Sequence, residues 1–208
     1  MTKRNERGPF ASAIVFPGGV VDQDDYAEGW GPFLQSGAEL SAEERALRIC
    51  AFRETWEEVA ILPCGKPGAV ADDRASPCTF IEYVRRAGTP LALDEMVPFS
   101  HWITPESAPK RFDTHFYICQ ERSMSPGQCD GTETVALEWI QPRLALAGAE
   151  RGDRSFLLPT HENLKLLARS ESSAEAIAAA RIRTIVPITP RRIVIGDTVT
   201  FTVTPPSE

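Results

Sequence analysis

Three carboxylates stand at 54, 57 and 58 in the stretch Arg53-Glu54-Thr55-Trp56-Glu57-Glu58-Val59-Ala60-Ile61. On a helix the spacing i, i+3, i+4 brings all three to one side, where like charges repel. That arrangement gains from a positive charge in front of it, and an oxygen-only donor set suits a hard divalent cation, Mg²⁺ or Mn²⁺. Glu54 and Glu58, one turn apart, are the first candidates for direct metal ligands. Glu57 completes the cluster, either as a ligand or through water. Arg53 is spaced to pair with Glu57 at i+4 and hold its carboxylate. Upstream, Ala13-Ile14-Val15 runs into the glycine turn Phe16-Pro17-Gly18-Gly19. Glycine lets the backbone approach an ion closely, so the Gly18 carbonyl is a further candidate ligand.

These residues need elements to hold them. Ser41 is placed to cap a helix, with Glu44 three residues on. Along it Ile49, Phe52, Trp56 and Val59 share a face at about 100° per residue, and the three glutamates lie roughly opposite. The helix is expected to bury one face on a sheet, turn its carboxylates toward a cleft, and end by Gly65 and Pro67. Residues 11–16 read as a short strand and 22–40 as a loop. A second helix is expected over 77–87, with Arg85 and Arg86 in its last turn and Gly88 as its cap. Strands are expected over 95–103, 111–119 and 134–140. On the second of these Phe112, Thr114, Phe116 and Ile118 face one way, and Arg111, Asp113, His115 and Tyr117 the other. Helices follow from Pro142, over 160–169 and over 173–182, and 183–204 reads as β-structure. With no repeat and no clear linker, residues 1–208 read as one α+β or α/β unit.

Composition bounds the partners. The net charge of −7 argues against a nucleic-acid surface. No apolar run reaches the length of a membrane span. The basic start Met1-Thr2-Lys3-Arg4-Asn5-Glu6-Arg7 has no apolar stretch behind it and is not expected to be a secretory signal. Five scattered cysteines without a C-x-x-C pair read as reduced thiols of a cytoplasmic protein.

Glycine turn plus acidic helix resembles the signature of the Nudix hydrolases, G-x5-E-x7-R-E-U-x-E-E-x-G-U, with U a bulky aliphatic residue. A Glu-rich helix alone is a common solvated face. Gly-Gly after a strand, Arg directly before the first Glu, and the closing Ile61 set this one apart. The family's first acidic position falls on Asp25, and 27 residues separate it from Arg53 where a compact box has seven. Thr55 and Ala60 replace the expected aliphatic and glycine. A long insertion inside the box, placed at residues 26–40, resembles the branch of the peroxisomal-type coenzyme A diphosphatases and their bacterial relatives. So do His101-Trp102-Ile103-Thr104-Pro105, Arg111-Phe112-Asp113-Thr114-His115-Phe116 and Leu158-Pro159-Thr160.

The resemblance implies a Nudix-type α/β/α sandwich with a mixed sheet, followed by helices and a β tail over 142–208. It implies Mg²⁺- or Mn²⁺-dependent hydrolysis of a phosphoanhydride in a small nucleotide, CoA or acyl-CoA first. An acidic residue outside the helix often supplies a base in this family. Glu133 is the first choice here and Glu138 the second. Arg111 and His115 either line the substrate cleft or sit on an exposed sheet edge. His101 reads as structural, and Trp30 as core or as a stacking partner for a base. The short segment before Gly18 predicts a first strand that is short or absent, replaced by the C-terminal tail or by a second subunit, hence a possible homodimer. Two rival readings are a broader nucleotide-sugar or dinucleotide pyrophosphatase, and a non-catalytic nucleotide-binding regulator.

Overall fold

Ser41 accepts a hydrogen bond from the Glu44 N–H and starts the longest helix, α1 (Ala42–Val59), as its sequence predicts. The structure, a computed structural model, describes residues 1–5, 13–63, 78–108, 110–122, 125–195 and 198–203. Gly65 and Pro67, expected to close the region after α1, lie outside them, as do Ala11, Ser12, Cys64 and Pro77. In chain order β1 (Thr2–Arg4) and β2 (Ile14–Val15) precede two 3-10 turns, Gln23–Tyr26 and Glu28–Phe33. Then come β3 (Leu34–Ser36), α1, α2 (Phe80–Ala87), β4 (Leu91–Ala92), β5 (Val97–Ile103), β6 (Asp113–Ile118) and β7 (Thr134–Leu137). The chain continues through α3 (Pro142–Glu150), α4 (Leu158–Leu167), α5 (Ser173–Ile182), β8 (Arg191–Ile195) and β9 (Thr198–Thr202). The architecture is α/β, with both parallel and antiparallel pairing. β1 lies antiparallel between β2 and β7, β3 pairs parallel with β4, and β5–β6 and β8–β9 are antiparallel pairs.

The first strand is present and, as one expected alternative had it, short: the three residues Thr2–Arg4 form the middle of their three-stranded sheet, and Thr2 is fully buried. Two expectations change. The C-terminal tail does not replace it, because β8 and β9 pair with each other. The stretch 22–40, expected to be a loop, is two 3-10 turns and a strand.

The main core forms where α1 meets α2 and the insertion. Ile49, Phe52 and Trp56 of α1 pack with Phe80, Tyr83 and Val84 of α2, and with Leu91, Leu93 and Met96. Trp56 stacks on Tyr83 with ring centroids 4.4 Å apart. Trp30 enters the same cluster, its ring 5.6 Å from Phe80. Its Nε1 donates to the Asp24 carbonyl at 2.9 Å. Trp30 is therefore a core anchor that folds the insertion onto α1, not an exposed platform for a base. α2 is capped at both ends, by the Thr79–Glu82 box and by Gly88 in the left-handed conformation. A smaller core joins Val97 and Phe99 of β5 to Ala180 of α5. Pro159 sits in the first turn of α4, which starts at Leu158, two residues earlier than expected.

Candidate active site

The apolar face of α1 buries Ile49, Phe52, Trp56 and Val59 and so fixes the rotation of the helix. The three glutamates do not share one environment. The Glu57 side chain is 44% exposed and that of Glu54 12%, whereas Glu58 is buried, at 3%. An acidic stripe expected to face a cleft therefore runs from solvent into the protein.

Arg53 organises the cluster. Its Nε and Nη2 donate to the two oxygens of Asp25 at 3.0 and 2.9 Å. Nη1 donates to Glu54 Oε1 at 2.7 Å and to Glu57 Oε2 at 2.9 Å. Nη2 also donates to the Val20 carbonyl at 3.0 Å. The planar guanidinium thus ties the segment after the glycine turn to two of the helix glutamates. Asp25 is 2% exposed and also accepts from the Asp22 N–H at 2.8 Å. It holds Arg53 in place, a role the candidate set left out. The signal was its five-residue spacing from Gly19.

Glu58 carries an unresolved charge. Neither carboxylate oxygen has a well-formed hydrogen bond, the Gly18 N–H being the nearby donor, and Arg4 Nη1 is 4.0 Å from Oε1. Burial first, and the Glu54 charge second, push its pKa up to about 8, against the weaker pull of Arg4 and the Gly18 N–H. Burial likewise raises Glu54, more than its bond to Arg53 lowers it. Gly19 lies directly against Glu54: a β-carbon at this position would sit 2.4 Å from its oxygens. Orphaned buried oxygens, a glycine-shaped cradle and a donor set of oxygens only are features that fit a hard divalent ion. Glu54 and Glu58 supply these features.

The segment before β7 is fastened to the end of α1. The Gln128 N–H donates to the Val59 carbonyl at 2.8 Å. The Glu58 carbonyl accepts from the Asp130 N–H at 3.0 Å and from Thr134 Oγ1 at 2.9 Å. Asp130 accepts from the N–H groups of Thr132, Glu133 and Thr134. Burial opposes its charge, but these bonds and those from the Thr132 and Thr134 hydroxyls hold its carboxyl well below the usual range. The turn holds Glu133 where its charge acts on both Glu54 and Glu58. Arg4 bridges the set from β1, 3.5 Å from Glu133 Oε2. Glu138, the second choice for a base, has both oxygens engaged by Arg154 at 2.6 and 2.7 Å. Arg4 was visible in the sequence only as part of a basic start.

The remaining candidates lie on β6 and just before it. Arg111 is exposed and its Nε donates to the Thr104 carbonyl at 3.3 Å. His115 stacks on His101, with Asp113 beside both. Burial, then His101, lower the His115 pKa. The helix acids that act on His115 are Glu43 and Glu44, at the start of α1. Glu54 lies ten residues further on, roughly 15 Å along the axis.

No family model matches the chain. It is 28% identical to acyl-coenzyme A diphosphatase NUDT19 of Gallus gallus over 69% of this chain and 54% of that protein. Putative nudix hydrolase 7 of Caenorhabditis elegans is 27% identical, over 82% of this chain and 55% of that protein. A solved structure, the Nudix hydrolase from Alicyclobacillus acidocaldarius, shares its fold with a TM-score of 0.73. The match covers 88% of each chain at 24% identity. The chain has the fold of a Nudix hydrolase. The chain spans about half the length of the curated relatives it matches. Its box departs from the family pattern at Ala60, which ends α1 in the left-handed conformation at φ 54°. Ala60 is the one non-glycine residue with positive φ among the described residues.

Proposed function

We propose that this chain is a divalent-metal-dependent Nudix hydrolase. Its substrate would be a nucleoside diphosphate linked to another group, with CoA or an acyl-CoA first. The observation that carries the reading is the buried Glu58 carboxylate beside Glu54 and the glycine turn, with Arg4 at 4.0 Å as its ion-pair partner. Burying an ionised carboxylate this way is costly, so the group either keeps a proton or gives its oxygens to a cation. The relatives named acyl-coenzyme A diphosphatase support the substrate.

In this reading Glu54, Glu58, Glu57 and the Gly18 carbonyl hold Mg²⁺ or Mn²⁺. The ion, when bound, offsets phosphate charge and makes a bound water more acidic. Arg53 keeps Glu54 and Glu57 oriented through its anchor on Asp25. Glu133, exposed and held by the Asp130 turn, takes the proton from the attacking water. Arg4 tempers the negative charge between Glu58 and Glu133. With CoA the products would be phosphopantetheine and 3′,5′-ADP, and Arg111 and His115 would contact more distant parts of the substrate. The described cysteines are all free, which fits a cytoplasmic location. No helix among the described residues is long and apolar enough to cross a membrane. The binding-protein reading loses one of its supports, since β1 occupies its place in the sheet. A homodimer remains an expectation, checked by light scattering.

The test is a diphosphatase assay on CoA, acetyl-CoA, ADP-ribose, NADH and a diadenosine polyphosphate, with and without Mg²⁺ or Mn²⁺. Metal-dependent cleavage of the CoA compounds first is the expected result. Much faster cleavage of ADP-ribose or the dinucleotides would replace CoA with the broader pyrophosphatase reading. No cleavage of any of them, in a folded protein that binds metal, would favour the nucleotide-binding regulator.

A further inference from the structure

Away from the helix glutamates, one group of described side chains brings metal-ligating atoms of two chemical kinds together. His101 of β5 and Asp113 and His115 of β6 place one ligand atom each within 4.8 Å of one another. Strand register is the cause. β5 and β6 run antiparallel with His101 directly opposite His115, so both imidazoles leave the same face. The rings stack with centroids 3.9 Å apart and an interplanar angle of 21°. Asp113, two residues before His115, projects from that face too. Its Oδ1 contacts His101 Nε2 and is 3.5 Å from His115 Nε2. The Asp113 side chain is 63% exposed. No Lys or Arg among the described residues forms an ion pair with it, and its contacts are the two imidazoles.

We propose that His101, Asp113 and His115 form a binding site for a divalent transition-metal ion of the zinc class, separate from the helix carboxylates. Two imidazoles and one carboxylate suit Zn²⁺, Co²⁺ or Ni²⁺, whereas Mg²⁺ prefers oxygen ligands throughout. A two-stranded ribbon holds the three donors at fixed spacing, and the exposed side leaves the remaining positions to water. The converging ligand atoms are those of His101, Asp113 and His115, so Glu54 and Glu58 are not part of this donor set.

Co²⁺ is the probe, because its visible absorption reports ligand type and geometry. The full chain is stripped of metal with a chelator, kept in excess Mg²⁺ and titrated with Co²⁺. Wild type should bind one Co²⁺ with bands of mixed nitrogen and oxygen ligation, and Zn²⁺ should displace it. Asp113→Asn and His115→Asn should each weaken binding by at least about tenfold, with folding checked by circular dichroism. Glu54→Gln should leave the Co²⁺ bands in place. Absence of bands in wild type, bands that survive both β6 substitutions, or bands lost in Glu54→Gln would each overturn the proposal.

Discussion

Around Glu58 the fold supplies backing on several sides. Arg53 and Asp25 brace the neighbouring glutamates, Gly19 makes room for Glu54, and the Asp130 turn fastens the adjoining loop. Around Asp113 one face of the β5–β6 pair and a stacked histidine pair do the positioning. The first cluster is desolvated, so ionising Glu58 is unfavourable without a cation, and the second is open, with the Asp113 side chain exposed. A buried acidic cluster of this kind couples ion binding to stability and to chemistry. An open histidine–carboxylate ribbon can gain or lose an ion with little effect on the rest of the chain. The two sites should therefore differ in how strongly a single substitution is felt.

The largest effect expected is on turnover. Glu58→Gln or Glu57→Gln should lower kcat for the preferred substrate by at least about 100-fold with the fold intact. Steady-state kinetics beside circular dichroism would check this, and full activity in both variants would remove the helix from the mechanism. Arg53→Lys comes next. An ammonium cannot reproduce the two-pronged bond to Asp25 while reaching Glu54, Glu57 and Val20. We expect a fall of roughly 10- to 100-fold in kcat with KM little changed. An unchanged kcat would show that the guanidinium network is ornamental to the reaction.

A third effect sharpens the contrast through pH. The folded-state pKa of Glu58 is raised to about 8 from the ordinary 4.5. Between those values the folded protein keeps a proton that the unfolded chain releases. Stability is thus fully present below the unfolded pKa and is lost as pH rises toward the folded one. In metal-free protein Tm should fall by several degrees, to order of magnitude, between about pH 5 and pH 8. Mg²⁺ should reduce that slope, and Glu58→Gln should remove this carboxylate's share of it. Thermal scans across pH would show whether the slope survives the substitution. The smallest effect lies at Ala60. A left-handed alanine costs about 1–2 kcal/mol, part of which glycine returns through its freer unfolded chain. Ala60→Gly should therefore stabilise by about 1 kcal/mol, read as a rise in Tm of roughly 3 °C.

Much of the framework was legible before the structure. The helix over Ala42–Val59 showed in its apolar period and in Ser41, and α2 in Gly88, because capping and amphipathicity are local signals. β1 was not legible: Thr2-Lys3-Arg4 has no apolar alternation, and its pairing with β7 joins residues far apart in the chain, Thr2 with Leu137 and Arg4 with Thr134. The insertion looked structureless because its two 3-10 turns are held by one buried aromatic, Trp30, and have no period of their own. At the site, the spacing of Glu54, Glu57 and Glu58 treats them alike. Their different burial comes from β1, the glycine turn and the Asp130 loop, which reach the helix only in three dimensions. The ring stacking of His101 and His115 depends on strand register, which an unaligned pair of strands does not reveal.

The central claim is that the helix carboxylates hold a hard divalent ion that the reaction requires. The most direct measurement is a Mn²⁺ titration of chelator-treated protein, with bound ion followed by electron paramagnetic resonance and hydrolysis of the preferred substrate in the same samples. Hydrolysis should be absent without the ion and rise in step with bound Mn²⁺, and Glu58→Gln should weaken both. Full hydrolysis in metal-free protein, or Mn²⁺ binding and turnover indifferent to Glu58→Gln, would contradict the account.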